Sequence, residues 1–227
     1  MKREYRGRLN VSASLMTLTL GAVLCLSSVA SAGGGLIFGN LQPATTVGTG
    51  LYSFGVAANA GDNVTTVQGD FAYGFGMFTE GRIRLGVSDV DGPNTDPTVA
   101  IGGEFKYQFW NYRGSGAGVN SGDPVDLAFS GMFEYASYDF VSVTSFGVNV
   151  LGSLPFVSKS GRVFGPYGRF NVRLSTVNPD LFASNTDIKF SLSPGFMAQL
   201  TRQARAFAEV NLDDNTGVSF GVQFGSF

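Results

Sequence analysis

Hydrophobic and polar side chains alternate along most of this chain. In Val67–Met77, the odd positions Val67, Gly69, Phe71, Tyr73, Phe75 and Met77 oppose Gln68, Asp70, Ala72, Gly74 and Gly76. Period two is the signature of a strand with one apolar and one polar face. The same pattern predicts strands over 80–88, 98–109 and 125–136. The apolar column then passes to even numbers: Phe140, Phe146, Val148, Val150 and Leu154, followed by Phe164, Phe170, Val172 and Leu174. Ile188, Phe190, Leu192, Phe196 and Leu200 come next, then Ala208, Val210 and Leu212, and finally Val218, Phe220, Val222 and Phe224. With a less regular strand near 47–58 (Tyr52, Phe54, Val56), about ten strands are predicted, each long enough to cross a membrane. No helical period competes with them, and no domain boundary interrupts them. Turn residues connect them at 59–63, 79–81, 158–161 and 213–217, with longer links at 89–97, 111–124 and 176–186. Pro166 and Pro194 fall inside predicted strands, where a missing N–H calls for a bulge or different strand limits.

Two architectures give such alternation. A soluble sandwich packs its apolar faces together, whereas a transmembrane barrel turns them to lipid and its polar faces to a lumen. The polar column here is rich in Gly, Ala and Ser with single charges between them, which suits a narrow interior better than a wetted surface. Charged residues make up 14% of the chain, too few for the usual soluble surface. On the barrel reading the inward charges are Asp70, Glu80, Glu104, Asp126, Glu134, Asp187 and Glu209 against Arg82, Arg84, Lys106, Arg169, Arg173 and Lys189. The two signs nearly balance, as a low-dielectric lumen requires. The expected fold is thus all-β: a closed antiparallel up-and-down transmembrane barrel of about ten strands, with eight or twelve as alternatives. Aromatic residues near strand ends (Phe109, Trp110, Tyr112, Tyr135, Tyr138, Phe156, Phe164, Tyr167) fit the girdles of a membrane interface.

The N-terminus adds export. Lys2, Arg3, Arg6 and Arg8 precede an apolar run from Leu15 to Val29 and the small-residue site Ala30-Ser31-Ala32, so residues 1–32 read as a cleaved signal peptide. The run is too short and too rich in Ser and Thr for a membrane helix. Cys25, the only cysteine, lies within it after Val23-Leu24, a poor context for lipid attachment, so the mature chain has no disulfide or thiol chemistry. Without residues 1–32, eleven bases face sixteen acids, a net charge of −5 that argues against nucleic acid as a partner. Residues 33–46 are then expected as a periplasmic lead-in and 47–227 as the barrel.

In these features the chain resembles the small outer-membrane β-barrels of Gram-negative bacteria, over its whole mature length and by pattern rather than by any subfamily motif. The closing Gly217–Phe227 looks like the last strand of such proteins, in which a terminal aromatic is read by the barrel-insertion machinery. Phe227 stands in that place, though out of phase with Phe220, Val222 and Phe224. The resemblance implies an outer-membrane location with lipid and lipopolysaccharide as surroundings; because the chain stops at Phe227, no appended peptidoglycan-binding domain of the kind some relatives carry is expected.

Little chemistry remains. Enzymes of this class are similar in relying on a catalytic histidine, and the chain has none. Paired carboxylates such as Glu104 and Glu134 have a simpler use as partners of lumenal Arg and Lys. Gly74-x-Gly76 lacks the helix and Lys-Ser/Thr of a phosphate loop. Asp89, Asp91, Asn94 and Asp96 form a possible divalent-cation loop, but the same residues make a solvated acidic turn. Loop proteolysis and thermal stability unchanged by calcium or magnesium would discard the site. No cofactor is called for. The function expected is a structural or surface-interaction role, with a narrow passive pore as a variant. A soluble secreted or surface β-sandwich serving as a binding module is the alternative.

Overall fold

The computed structural model describes residues 36–39, 41–62, 64–90, 96–110, 125–138, 141–179, 183–213 and 216–225. The signal peptide expected over 1–32 lies outside them, as do Asp91, Asn94 and Phe227. The strands are β1 (Tyr52–Gly61), β2 (Val64–Gly76), β3 (Thr79–Val90), β4 (Thr98–Trp110), β5 (Asp126–Tyr138) and β6 (Val141–Ser153). They continue with the two-residue β7 (Phe156–Val157), β8 (Val163–Pro179), β9 (Asn185–Thr201), β10 (Ala204–Asn211) and β11 (Gly217–Gly225). Sequential neighbours pair antiparallel, β6 pairs with β8, and β1 pairs with β11 from Ser53↔Gly225 to Gly61↔Gly217. The ten long strands therefore close into one up-and-down barrel, with β7 as a short extra strand on β8. A single sheet closed on itself replaces the two stacked layers of the sandwich alternative.

Strand limits differ where pairing outlasts the turn signal. The β8–β9 hairpin continues through the connector expected at 176–186, because Thr176↔Thr186 and Val177↔Asn185 still pair and the two threonine hydroxyls meet at 3.0 Å. Thr79-Glu80-Gly81, expected as a turn, opens β3, and the turn is Met77-Phe78. The two strand prolines need no bulge. An N–H and C=O of one strand residue point to the same edge. Pro166 O accepts from Leu154 N at 3.0 Å, so its nitrogen faces the break between β6 and β7. Pro194 faces β10 where that ladder lapses between Glu209↔Gly195 and Leu192↔Leu212. The opposite edge of each proline stays in register, at Pro166↔Phe196 and Gly168↔Pro194.

The two columns sort as the alternation requires, but burial is inverted relative to a protein in water. Val99, Phe75 and Val148 are 68%, 64% and 63% exposed, while Arg84, Arg173, Lys106, Glu80 and Glu134 are at most 2% exposed. The rings form an outer aromatic layer that is dense where β1 starts and β11 finishes: Phe54–Phe71 at 5.0 Å, Tyr73–Phe75 at 5.2 Å, Phe109–Phe129 at 4.6 Å and Phe156–Phe164 at 6.0 Å. This is the terminal end; the β3–β4, β5–β6, β8–β9 and β10–β11 connections mark the far end.

The lead-in expected outside the barrel over 33–46 is instead inside it wherever it is described. Leu36, Ile37, Phe38, Leu41, Gln42, Ala44 and Val47 are all buried. Ten strands about 4.8 Å apart, tilted by about 40°, enclose a backbone cylinder roughly 20 Å across, which side chains narrow to about 10 Å. That is the width of one extended chain. The segment enters at the far end, where Leu36 N donates to Asp213 Oδ2 at 3.2 Å. It leaves at the terminal end, where Val47 N donates to Glu80 Oε2 at 3.0 Å. Three apolar clusters anchor it: Ile37 and Phe38 with Ala100 and Ala136, Leu41 with Ala57, Tyr167, Met197 and Phe207, and Ala44 with Ala128 and Leu151.

Two inward glycines make room for Phe38: a Cβ on either Gly86 or Gly102 would stand 2.9 Å from its ring. Gly102→Val is therefore expected to destabilise the barrel by about 1–3 kcal/mol through overpacking. Adding Phe38→Ala should recover part of that loss in a denaturant-unfolding double-mutant cycle. Additive effects would show that the ring and the glycine do not meet.

Candidate functional site: the lumenal charge network

The alternation that sends Phe and Val outward leaves even positions of β2–β5 and odd positions of β6 and β8–β11 pointing inward. The charges concentrate on β3 and β4. Directly opposed in the ladder are Asp70↔Arg84, Arg82↔Glu104 and Glu80↔Lys106. Two of these pairs exchange partners diagonally, within reach of a long guanidinium. Arg82 bonds Asp70 at 2.5 Å and Glu80 at 3.0 Å, and Arg84 bonds Glu104. Lys106 lies 3.4 Å from Glu80. Across the lumen Arg169 pairs with Glu209 at 3.4 Å and Arg173 with Asp213 at 2.7 Å.

The same groups grip the N-terminal segment. Glu134 Oε2 accepts from Ile37 N at 3.1 Å, and Gln108 Oε1 from Thr46 N at 3.3 Å. Gln68 Nε2 donates to Gly39 O at 2.9 Å. Lys106 Nζ donates to Gln42 Oε1 at 3.2 Å, Pro43 O at 3.3 Å and Thr45 O at 2.8 Å. Among the described residues of this segment, which has no strand partner, seven backbone groups are thus bonded by lumenal side chains. The charges serve wall and segment together.

Of the residues expected in the lumen, Asp70, Arg82, Arg84, Glu104, Lys106, Asp126, Glu134, Arg169, Arg173 and Glu209 all line it. Asp126 receives Gln108 Nε2 at 3.3 Å. Lys189 departs from the expectation. It is in register with Arg173 but only half-buried, because β9 runs on past the end of β10 toward the far end. Asp187, two residues nearer that end, is exposed. In the proposed cation loop, Asp89 is exposed on β3 opposite Thr65, Asp96 is exposed, and Asp91 and Asn94 lie outside the described residues.

Two lumenal features escape a reading of charges. Asp213 lies in a link read as a turn, yet its side chain is buried against Arg173 and Leu36. Neutral amides form a ladder in which Arg173 Nη1 donates to Asn171 Oδ1 at 3.2 Å, Asn171 Nδ2 to Asn149 Oδ1 at 2.8 Å, and Asn149 Nδ2 to Ser130 Oγ at 2.8 Å. The phase of the strands places these residues inward, so the signal was present in the sequence.

No protein-family model matches the chain, and no curated protein matches it significantly. Among solved structures it resembles outer-membrane β-barrels at the level of the class. It is 10% identical to the N-terminal β-barrel domain of Pseudomonas aeruginosa OprF, over 78% of this chain and 98% of that one, with a TM-score of 0.36. The β domain of the Bordetella autotransporter BrkA is 13% identical over 78% and 98%, with a TM-score of 0.46. KdgM porin is 10% identical over 77% and 99%, with a TM-score of 0.38. At such scores nothing about role passes from them to this chain.

Arg84→Met is expected to cost about 3–5 kcal/mol, since it leaves the Glu104 carboxylate buried without its guanidinium. Arg84→Met with Glu104→Gln should cost less than Arg84→Met alone. Urea unfolding of the three refolded variants measures the difference, and a double variant weaker than the single one would sink the pairing.

Proposed function

We propose that this chain is an integral barrel of the Gram-negative outer membrane, with a structural or surface-interaction role and a lumen closed by its own N-terminal segment. One observation carries the reading: the Phe, Val and Ile column is outside and the charged column is inside. A water-soluble surface does not expose apolar area on that scale, whereas hydrocarbon requires it. Along β2, the outward positions from Val67 to Phe75 rise roughly 20 Å at a usual tilt, close to the apolar band of a bilayer. Closure supports the same reading, since it leaves no unpaired edge in a medium that cannot hydrogen-bond.

Outward residues beyond this belt turn polar at the far end: Thr65, Asp89, Ser137 and Thr186 are exposed there. Together with the aromatic density at the terminal end, this favours the far end outside the cell and the strand termini in the periplasm. Lipid and the lipopolysaccharide leaflet are then the surroundings, the insertion machinery a partner during assembly, and no catalytic role is assigned.

Expressed from the full sequence, the protein should fractionate with outer membranes and need detergent for extraction. On gels it should migrate differently before and after boiling. Recovery from the soluble fraction without detergent would refute the reading. Val148→Arg adds a sharper test. In a bilayer it should cost about 2–4 kcal/mol of unfolding free energy. A site this exposed in a water-soluble protein would respond by only about 0.5 kcal/mol.

A further inference from the structure

We propose that the barrel is a gated pore for small hydrophilic solutes, and that the lumenal segment of residues 36–39 and 41–47 is its gate. The inference rests on the membrane reading above. The wall is complete without the segment, because every long strand is paired on both sides by other strands. Among the described residues, the segment over 36–47 makes no backbone–backbone hydrogen bond with a strand. Its polar contacts include Asp213, Glu134, Gln68, Gln108, Glu80, Lys106 and the Met77 carbonyl, all groups that water would satisfy in its place.

The closed state also keeps many charges dry. Hydrating Arg82, Arg84, Lys106, Glu80, Glu104 and Glu134 would recover part of their desolvation cost. Against that stand the apolar seats of the segment, chiefly Phe38 between Gly86 and Gly102 and Leu41 against Gly221 and Ala57. Two opposed contributions acting on one element are what a switch between closed and open forms requires.

The C-terminal end of the segment is tied to the wall by backbone. Gly48 and Gly50 have φ of 87° and 71°, a conformation that suits glycine. Gly50 N donates to Gly74 O at 2.8 Å and Gly74 N to Leu51 O at 3.0 Å, fixing the hinge to β2 at the terminal end. The direction of opening is thus a swing out through that end. The vacated channel, about 10 Å wide and lined by both signs of charge, suits small polar solutes with weak charge selectivity.

The test is single-channel recording in planar bilayers, on the full chain carrying Cys25→Ser. Leu41→Ala weakens the seat, and Gly39→Cys with Ser219→Cys locks it, since a Cβ on Gly39 would lie 2.8 Å from Ser219 Cβ, bridgeable after a small shift. Reduced, the Leu41→Ala variant bearing the cysteine pair should open about tenfold more often than wild type, because a truncated seat weakens a packed contact by at least that factor. Oxidised, it should be silent, and reductant should restore it. Adding Phe38→Ala should raise the open fraction further. A reduced variant as silent as wild type, or an oxidised one that still conducts, would overturn the gate. Boiling-dependent migration is checked in each sample, so a protein that never enters the bilayer counts against the membrane reading and not against the gate.

Discussion

On the membrane reading proposed above, the wall has nothing outside it that can accept or donate a hydrogen bond, and the rest of the structure follows from that constraint. Each backbone group must find its partner within the sheet, so the sheet closes. Each polar side chain must point away from the wall's outer face, so the charges converge on one narrow column of space. Opposite charges then have to be near neighbours, because an isolated one would be too costly. The diagonal exchange between Asp70, Arg82, Arg84 and Glu104 is the local outcome: four side chains on three adjacent strands neutralise one another across the pleat.

The lumenal segment answers the same constraint from the inside. Ten strands enclose more room than these mostly small inward residues fill, and without the segment water would have to take its place beside the ions. An extended chain fills the space while offering its own N–H and C=O groups to the network. Gly86, Gly102 and Gly221 are accounted for by this partner, since each takes up a side chain of the segment where a larger residue would collide. The glycines ascribed in the sequence to a narrow barrel are there for a filled one.

This also marks how far the sequence could be read. The phase of every long strand was legible, because a period of two permits no compromise: Phe146, Val148 and Val150 outside force Asn149 and Leu151 inside. The lumenal charges followed from the same parity, Lys189 and Asp187 apart, whose exposure depends on how far β9 outruns β10. Parity says which face a residue takes and nothing about its height. The segment at 36–47 was not legible, since it has no period and its fit depends on side-chain contacts 29 to 177 residues away along the chain. Leu36-Ile37-Phe38 ahead of a polar stretch was the available hint. Asp213 was missed for a related reason, as turn composition describes local geometry and is silent about what a turn residue reaches.

The seam between β1 and β11 joins the first strand to the last, Ser53 beside Gly225. Until those two ribbons meet, both offer bare edges to whatever surrounds them, and in hydrocarbon neither edge has a substitute mate. On the proposed membrane reading, insertion and zipping shut are therefore one event, with the last ribbon completing the cylinder against the first. Anything holding the C-terminal ribbon back would leave an open gutter that the bilayer cannot accommodate.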